Sequence, residues 1–226
     1  MKKLLYILAL ILGATAVVAC QETGDEIGEY DNWQPRNEAY FRDTLAHANR
    51  QVAAAKAQWG DAWEAHCDWR VYPSYCIAEG GKATWEDSIA VHVITHGTGS
   101  GCPLYTDSAR VTYAGRLIPT VSYDRDKSDY YAHFPGFVFD HTGASTKVNE
   151  TLDSRFEQPT TFCVSNLGEG FTTALMYMHI GDYWRVFIPS NLGYGKNGSK
   201  EIPGNSTLIF DMRLKGYVRV GAKPGK

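Results

Sequence analysis

Residues 188–214, reading IPSNLGYGKNGSKEIPGNSTLIFDMRL, constrain this chain more than any other stretch. A strand end runs into Pro189, then a Gly-Tyr-Gly turn, a small polar loop, an Ile-Pro pair and a long apolar strand. Prolines fix φ and glycines free it, so Pro189 and Pro203, with Gly193, Gly195, Gly198 and Gly204, shape the loop. A plain hairpin closes in about two to five residues. This longer, punctuated loop is the kind that holds a site. Tyr194, Ile202 and Phe210 are spaced so that the returning chain can bring them together. On spacing alone, a surface loop between two core strands remains the alternative.

The 226 residues, 44% hydrophobic and 21% charged, suffice for one full domain and an appendage. A net charge of −3 offers no basic face for nucleic acid. Plentiful tyrosine (14) and glycine (22) suit strands and turns better than a helical bundle.

The N-terminus bears on the compartment. Lys2 and Lys3 precede an apolar run over residues 4–19, the pattern of a secretory signal. The run is short for a membrane span, which wants ~20 apolar residues. Val17, Val18, Ala19 and Cys20 resemble a bacterial lipobox, which makes Cys20 the lipidated first residue; an ordinary signal peptide is the alternative. Gln21 after the cysteine, rather than Asp, argues for the outer membrane over inner-membrane retention. Four further cysteines remain. An even number in an exported chain reads as disulfides, with Cys67–Cys76 chosen on proximity and Cys102–Cys163 as the remainder. The rival is a metal site with His66, His92 and His96, but no paired C-x-x-C spacing supports it, and no metal is expected.

Residues 20–33 have the acidic, small, polar composition of a tether between lipid and folded domain. Pro35 opens a predicted helix whose Phe41, Leu45, Ala48, Val52, Ala55 and Trp59 recur at helical spacing until Gly60. That stripe must pack on the main domain, on the Cys67–Cys76 segment, or on a second copy as a homodimer. Residues 66–81 read as loop. Strands are predicted at 88–95, 109–118, 137–140, 161–164, 182–189 and 207–217, with one short helix after Gly168 that ends at Gly181. On that helix Phe171, Leu175 and Met178 share a face. Residues 119–135, polar and tyrosine-rich, read as an inserted loop, and 218–226 as a tail. The fold class is α+β: a mostly antiparallel sheet packed on one helix, with residues 34–84 as a helical extension and 85–217 as the main domain.

The segments around Val111–Gly115, Phe139–Asp140, Gly170–Phe171, Met178–Asp182, Ile188–Pro189, Gly193–Gly195 and Ile202–Asp211 resemble, in order, the motifs of FKBP-type peptidyl-prolyl isomerases. Each motif is weak alone; together they are specific. The lipobox and helical extension are similar to those of membrane-anchored bacterial members. The resemblance implies a twisted antiparallel sheet wrapped around a short helix, with an apolar pocket between them. It implies X–Pro isomerisation without a cofactor, proline-containing polypeptides as partners and FK506-type macrolides as inhibitors. Carried over by position, Tyr194, Asp140 and Phe139 would be catalytic, and Tyr113, Gly168, Phe171, Ile202 and Phe210 would contact substrate. Phe171 would be the floor, where many members have tryptophan; Phe139 and Phe210 walls; Ile202 an edge. The Tyr194 hydroxyl would bond a substrate carbonyl, and Asp140 would pair with Tyr113. Leu167 and Gly168 stand where members often have Val-Ile, and Thr160 where an aromatic is common. A binding module with little turnover on the same fold is the alternative function.

Overall fold

The computed structural model describes residues 28–121, 136–142 and 158–221. The expected signal sequence, Cys20, most of the expected tether, residues 122–135 of the expected insertion and the last five residues of the expected tail lie outside them. Helix α1 is Trp33–Trp59. It begins two residues before Pro35, which sits within the first turn, where a missing N–H has no helical partner to lose. Gly60, with φ of 55°, ends it.

Seven strands follow among the described residues: β1 (Trp69–Pro73), β2 (Ser88–Thr95), β3 (Ser108–Arg116), β4 (Val138–His141), β5 (Thr160–Cys163), β6 (Tyr183–Ile188) and β7 (Leu208–Val218). Helix α2 (Glu169–Tyr177) lies between β5 and β6. The strands form one antiparallel sheet in the order β1-β2-β6-β7-β3-β4, and β5 pairs with the N-terminal half of β3. Of the α2 face named above, Leu175 and Met178 are fully buried, and Phe171 nearly so. The helix runs only to Tyr177; Met178 closes it, three residues ahead of the expected Gly181.

Of the three surfaces open to the α1 stripe, the structure uses the chain's own sheet. Trp33, Phe41, Leu45 and Ala48 join the same apolar core as β2, β6, β7 and α2. Tyr40 lies against Phe187, with ring centroids 6.3 Å apart. Trp59 leaves the stripe, stacking on His66 at 3.8 Å with 44% of its surface exposed. With α1 on one face and α2 on the other, β2 is buried on both sides. That explains its near-continuous apolar run of Ile89, Ala90, Val91 and Val93 where a half-exposed strand would alternate.

Two expectations are corrected. Residues 66–81 are not all loop, because Trp69–Pro73 pairs with β2, from Trp69 opposite His92 to Pro73 opposite Ser88. Pro73 argued against a strand, but at the end of an edge strand a missing donor breaks no ladder bond. Neither expected disulfide is formed: Cys67, Cys76, Cys102 and Cys163 are all free. Extended β1 separates Cys67 from Cys76. The Cys67 thiol is hydrogen-bonded to the Trp69 backbone, Cys102 Sγ lies 3.8 Å from His179 Nε2, and Cys163 Sγ lies 3.1 Å from Ser165 Oγ. Nearness in sequence misled because a strand, not a turn, lies between the first pair.

His92 stacks on Trp69 at 4.8 Å, beneath α1. Burial, then Arg185 and His47, push its pKa below the ordinary 6.5, while Asp68 and Asp211 pull it back. A lowered folded-state value means that the unfolded chain binds more protons just below pH 6.5, so stability rises with pH through that window. Thermal unfolding at about pH 5.5 and about pH 7.5 should therefore show a smaller acid-induced drop in His92→Gln than in the parent chain. Equal drops would exclude the group.

Candidate functional site

Between the sheet's inner face and α2 lies an apolar cavity of about 220 Å³. It falls below the ~300–1,000 Å³ of drug-sized pockets, which suits one compact ring better than a cofactor. Its walls come from several elements. β3 supplies Tyr113, β4 Phe139 and Asp140, β5 Phe162, and the start of α2 Gly168 and Phe171. β6 supplies Ile188, the loop after it Leu192, Gly193 and Tyr194, and β7 Leu208 and Phe210.

Strand alternation explains the β7 pair, since Leu208 and Phe210 share a face and Asp211 takes the other. Phe210 is the hub of the aromatic wall. It meets Phe171 edge-on at 5.0 Å and 90°, Phe139 at 5.5 Å and 87°, and Tyr113 at 6.0 Å and 62°. Tyr113 also meets Phe171 at 5.6 Å and 82°. Such edge-to-face pairs put a positive ring edge on a negative face, contributing ~0.5–1.5 kcal/mol each beyond area burial. Gly115 makes the cluster possible. A Cβ there would lie 2.5 Å from Phe210 Cε1 and 2.6 Å from Phe139 Cζ, so any larger residue would push the rings apart.

Three polar side chains, Tyr113, Asp140 and Tyr194, face this apolar surface. The Tyr113 hydroxyl donates to Asp140 Oδ2 at 2.6 Å. Burial first, then the bond and charge of Asp140, raise the Tyr113 pKa above the usual tyrosine range, so the phenol stays a donor. Its backbone is pinned as well: the Tyr113 N–H donates to Thr142 Oγ1 at 3.0 Å, and the Thr142 N–H to the Tyr113 carbonyl at 2.9 Å. Tyr194 stands at the mouth with 47% of its surface exposed.

Tyr113, Phe139, Asp140, Gly168, Phe171, Tyr194 and Phe210 thus meet around one cavity, seven of the eight expected site residues. Ile202 does not join them. It is buried in the core, and its backbone pairs with Ser199 across the tight 199–202 turn. Sequence reasoning missed Phe162, Leu167, Ile188, Leu192, Gly193 and Leu208 as lining residues. Leu208 and Phe162 carried a signal, because each lies two residues along a strand from a position already considered, Phe210 and Thr160. Phe162 provides an aromatic ring where Thr160 does not, 6.1 Å from Tyr113.

The family model described as FKBP-type peptidyl-prolyl cis-trans isomerase matches residues 127–215. The FKBP-type peptidyl-prolyl cis-trans isomerase FkpA of Aeromonas hydrophila is 29% identical over 136 residues, 60% of this chain and 40% of that protein. The macrophage infectivity potentiator of Trypanosoma cruzi is 36% identical over 122 residues, 54% of this chain and 48% of that protein. An FKBP-type 22 kDa peptidyl-prolyl cis-trans isomerase of Escherichia coli K12 is 32% identical over 137 residues, 60% and 52% respectively. The chain spans about half the length of these curated relatives. A solved peptidyl-prolyl cis-trans isomerase from Pseudomonas syringae is 26% identical and covers 79% of this chain and 96% of that one, with a TM-score of 0.43.

Proposed function

We propose, on the match of residues 127–215 to the family model described as FKBP-type peptidyl-prolyl cis-trans isomerase, that the cavity catalyses rotation about X–Pro peptide bonds. The observation that carries this reading is the wall of edge-to-face rings around a small apolar cavity with a tyrosine at its mouth. An X–Pro amide resists rotation by ~20 kcal/mol because resonance holds it planar. The twisted transition state has lost that resonance, so its carbonyl demands less of water than the planar amide does. A dry aromatic cavity binds the twisted form better than the ground state, and that difference is the catalysis. Phe139, Phe171 and Phe210 take the proline ring, and Leu208 and Phe162 extend the wall. The Tyr194 hydroxyl holds the substrate carbonyl, while Asp140 fixes Tyr113. No bond is made to the protein.

Uncatalysed isomerisation takes ~10–100 s, slow enough to limit folding. In this reading the clients are exported, proline-containing polypeptides, and the protein is held to the outer membrane by lipid on Cys20. Loss of labelled-palmitate incorporation in Cys20→Ser tests the anchor. A homodimer through α1 would have to use that helix's polar side, because Phe41, Leu45 and Ala48 are buried; sedimentation of the chain from residue 21 onward tests it. The main test is cis-to-trans relaxation of a short X–Pro peptide with the same chain. Acceleration that falls in Tyr194→Phe supports the reading. No acceleration despite peptide binding would turn it into a binding module.

Gly168 offers a gain-of-function test. It precedes α2 with an extended backbone, and a Cβ there would meet nothing within 4 Å. Gly168→Val should raise kcat/KM by roughly 4-fold for each methylene-sized contact that the substrate covers, from ~0.8 kcal/mol per buried CH₂. A fall would mean that the substrate backbone occupies that space.

A further inference from the structure

We propose that α1 is a positioning element for the candidate site: through Trp33 and Asn37 it fixes the loop that presents Tyr194. The inference rests on the isomerase reading for its kinetic consequence, though not for its structural one. The first two turns of α1 are bonded to residues about 170 positions away in sequence. Asn37 Oδ1 accepts the Thr207 N–H at 2.7 Å, and Thr207 Oγ1 donates to the Asn37 carbonyl at 3.0 Å. Trp33 Nε1–H donates to Ser206 Oγ at 2.9 Å, and that hydroxyl donates onward to the Pro203 carbonyl at 2.6 Å. Asn37, Ser206 and Thr207 are each at most 3% exposed, so these bonds exchange little with water.

The same short segment reaches the site from its other end. Asn205, next to Ser206, donates its N–H to the Gly195 carbonyl at 2.8 Å, and Gly195 follows Tyr194 directly. Gly204 lets the strands of this loop touch, since a Cβ there would lie 2.0 Å from the Lys196 carbonyl oxygen. On the far side of Thr207, Leu208 lines the cavity and packs against Gly193. Both residues flanking Tyr194 are thus held by residues that flank the Ser206–Thr207 anchor. Asn37 is itself fixed, its Nδ2 donating to the Trp33 carbonyl at 2.7 Å. The anchor carries no group into the cavity; its effect is on where Tyr194 sits.

The test uses the chain from residue 21 onward, with Asn37→Leu removing the paired acceptor and Trp33→Phe removing only the indole donor. Phe41→Leu serves as the comparison: it loosens α1 from the sheet one turn away, at a fully buried residue, without touching the anchor. Amide exchange is read at Asn205. We expect exchange there to speed up by ~10-fold in Asn37→Leu and by a smaller factor in Trp33→Phe, the scale of one or two lost hydrogen bonds, with less than about 2-fold change in Phe41→Leu. kcat/KM for a short X–Pro peptide should fall in the same order, with the loss in KM, because a displaced carbonyl anchor weakens ground and transition states together. Equal exchange at Asn205 in all three variants would overturn the proposal. A parent chain that binds but does not isomerise the peptide would remove the isomerase reading, and the exchange measurement would still decide the role of α1.

Discussion

Phe210→Ala is expected to remove ~3–5 kcal/mol of stability, the range for emptying a buried phenylalanine site, and most of the activity. Phe210 is only 7% exposed and holds three of the four edge-to-face contacts in the wall. Truncation leaves Phe171 and Phe139 facing a void that the cavity joins, and water can then enter. Wetting matters more to function than the lost contacts do. A hydrated pocket no longer favours the twisted amide over the planar one, so kcat/KM per folded molecule should fall by about 100-fold, equivalent to ~2.7 kcal/mol of transition-state binding. Denaturant titration gives the first number and peptide relaxation, scaled to the folded fraction, gives the second. A variant that loses stability but keeps its kcat/KM would mean that the chemistry lies elsewhere.

Most of this site was legible in the sequence, for reasons that differ by residue. Phe139, Phe171 and Phe210 stood out as aromatics at motif positions, and Tyr194 as a loop tyrosine between glycines. Leu208 and Ile188 were visible yet unread, because aliphatic residues on strands look alike whether they face a core or a cavity. Only the register of β7 on β6, with Ile188 opposite Leu208, puts both at the pocket. Ile202 is absent from that lining, yet it is buried in the same apolar cluster as Tyr113, Phe171 and Phe210, with the tight 199–202 turn fixing its backbone.

The fold was legible wherever periodicity was local. The α1 stripe and the alternation of β3 and β7 needed no knowledge of partners. β1 was not legible, because a five-residue strand ending in proline is stabilised by its pairing with β2 and not by its own propensity. The anchor at Asn37 was not legible either. An asparagine in a predicted helix looks like a surface residue, and its partner Thr207 lies 170 positions along the chain.

Asp211, beside Phe210, should separate stability from function. It faces α1, where it is 3% exposed, and its two oxygens meet Arg116 Nη1 at 2.7 Å and Arg185 Nε at 2.7 Å. One buried carboxylate thus lies between two guanidinium groups supplied by strands on either side of β7. Asp211→Ala would leave those two cations near one another under the cover of α1, and breaking a buried pair in this way costs ~3–5 kcal/mol. High salt should recover little of it, because buried charges are poorly screened. Replacing Asp211, Arg116 and Arg185 together by apolar residues of similar volume should cost far less than Asp211→Ala alone, since the desolvation of three charged groups is then avoided. In the single variant, kcat/KM per folded molecule should stay within about 2-fold, because successive strand residues point to opposite faces and, of Phe210 and Asp211, it is Phe210 that points to the cavity. A collapse of activity in molecules that remain folded would show instead that the two faces of β7 are coupled, with the charge cluster holding Phe210 in place.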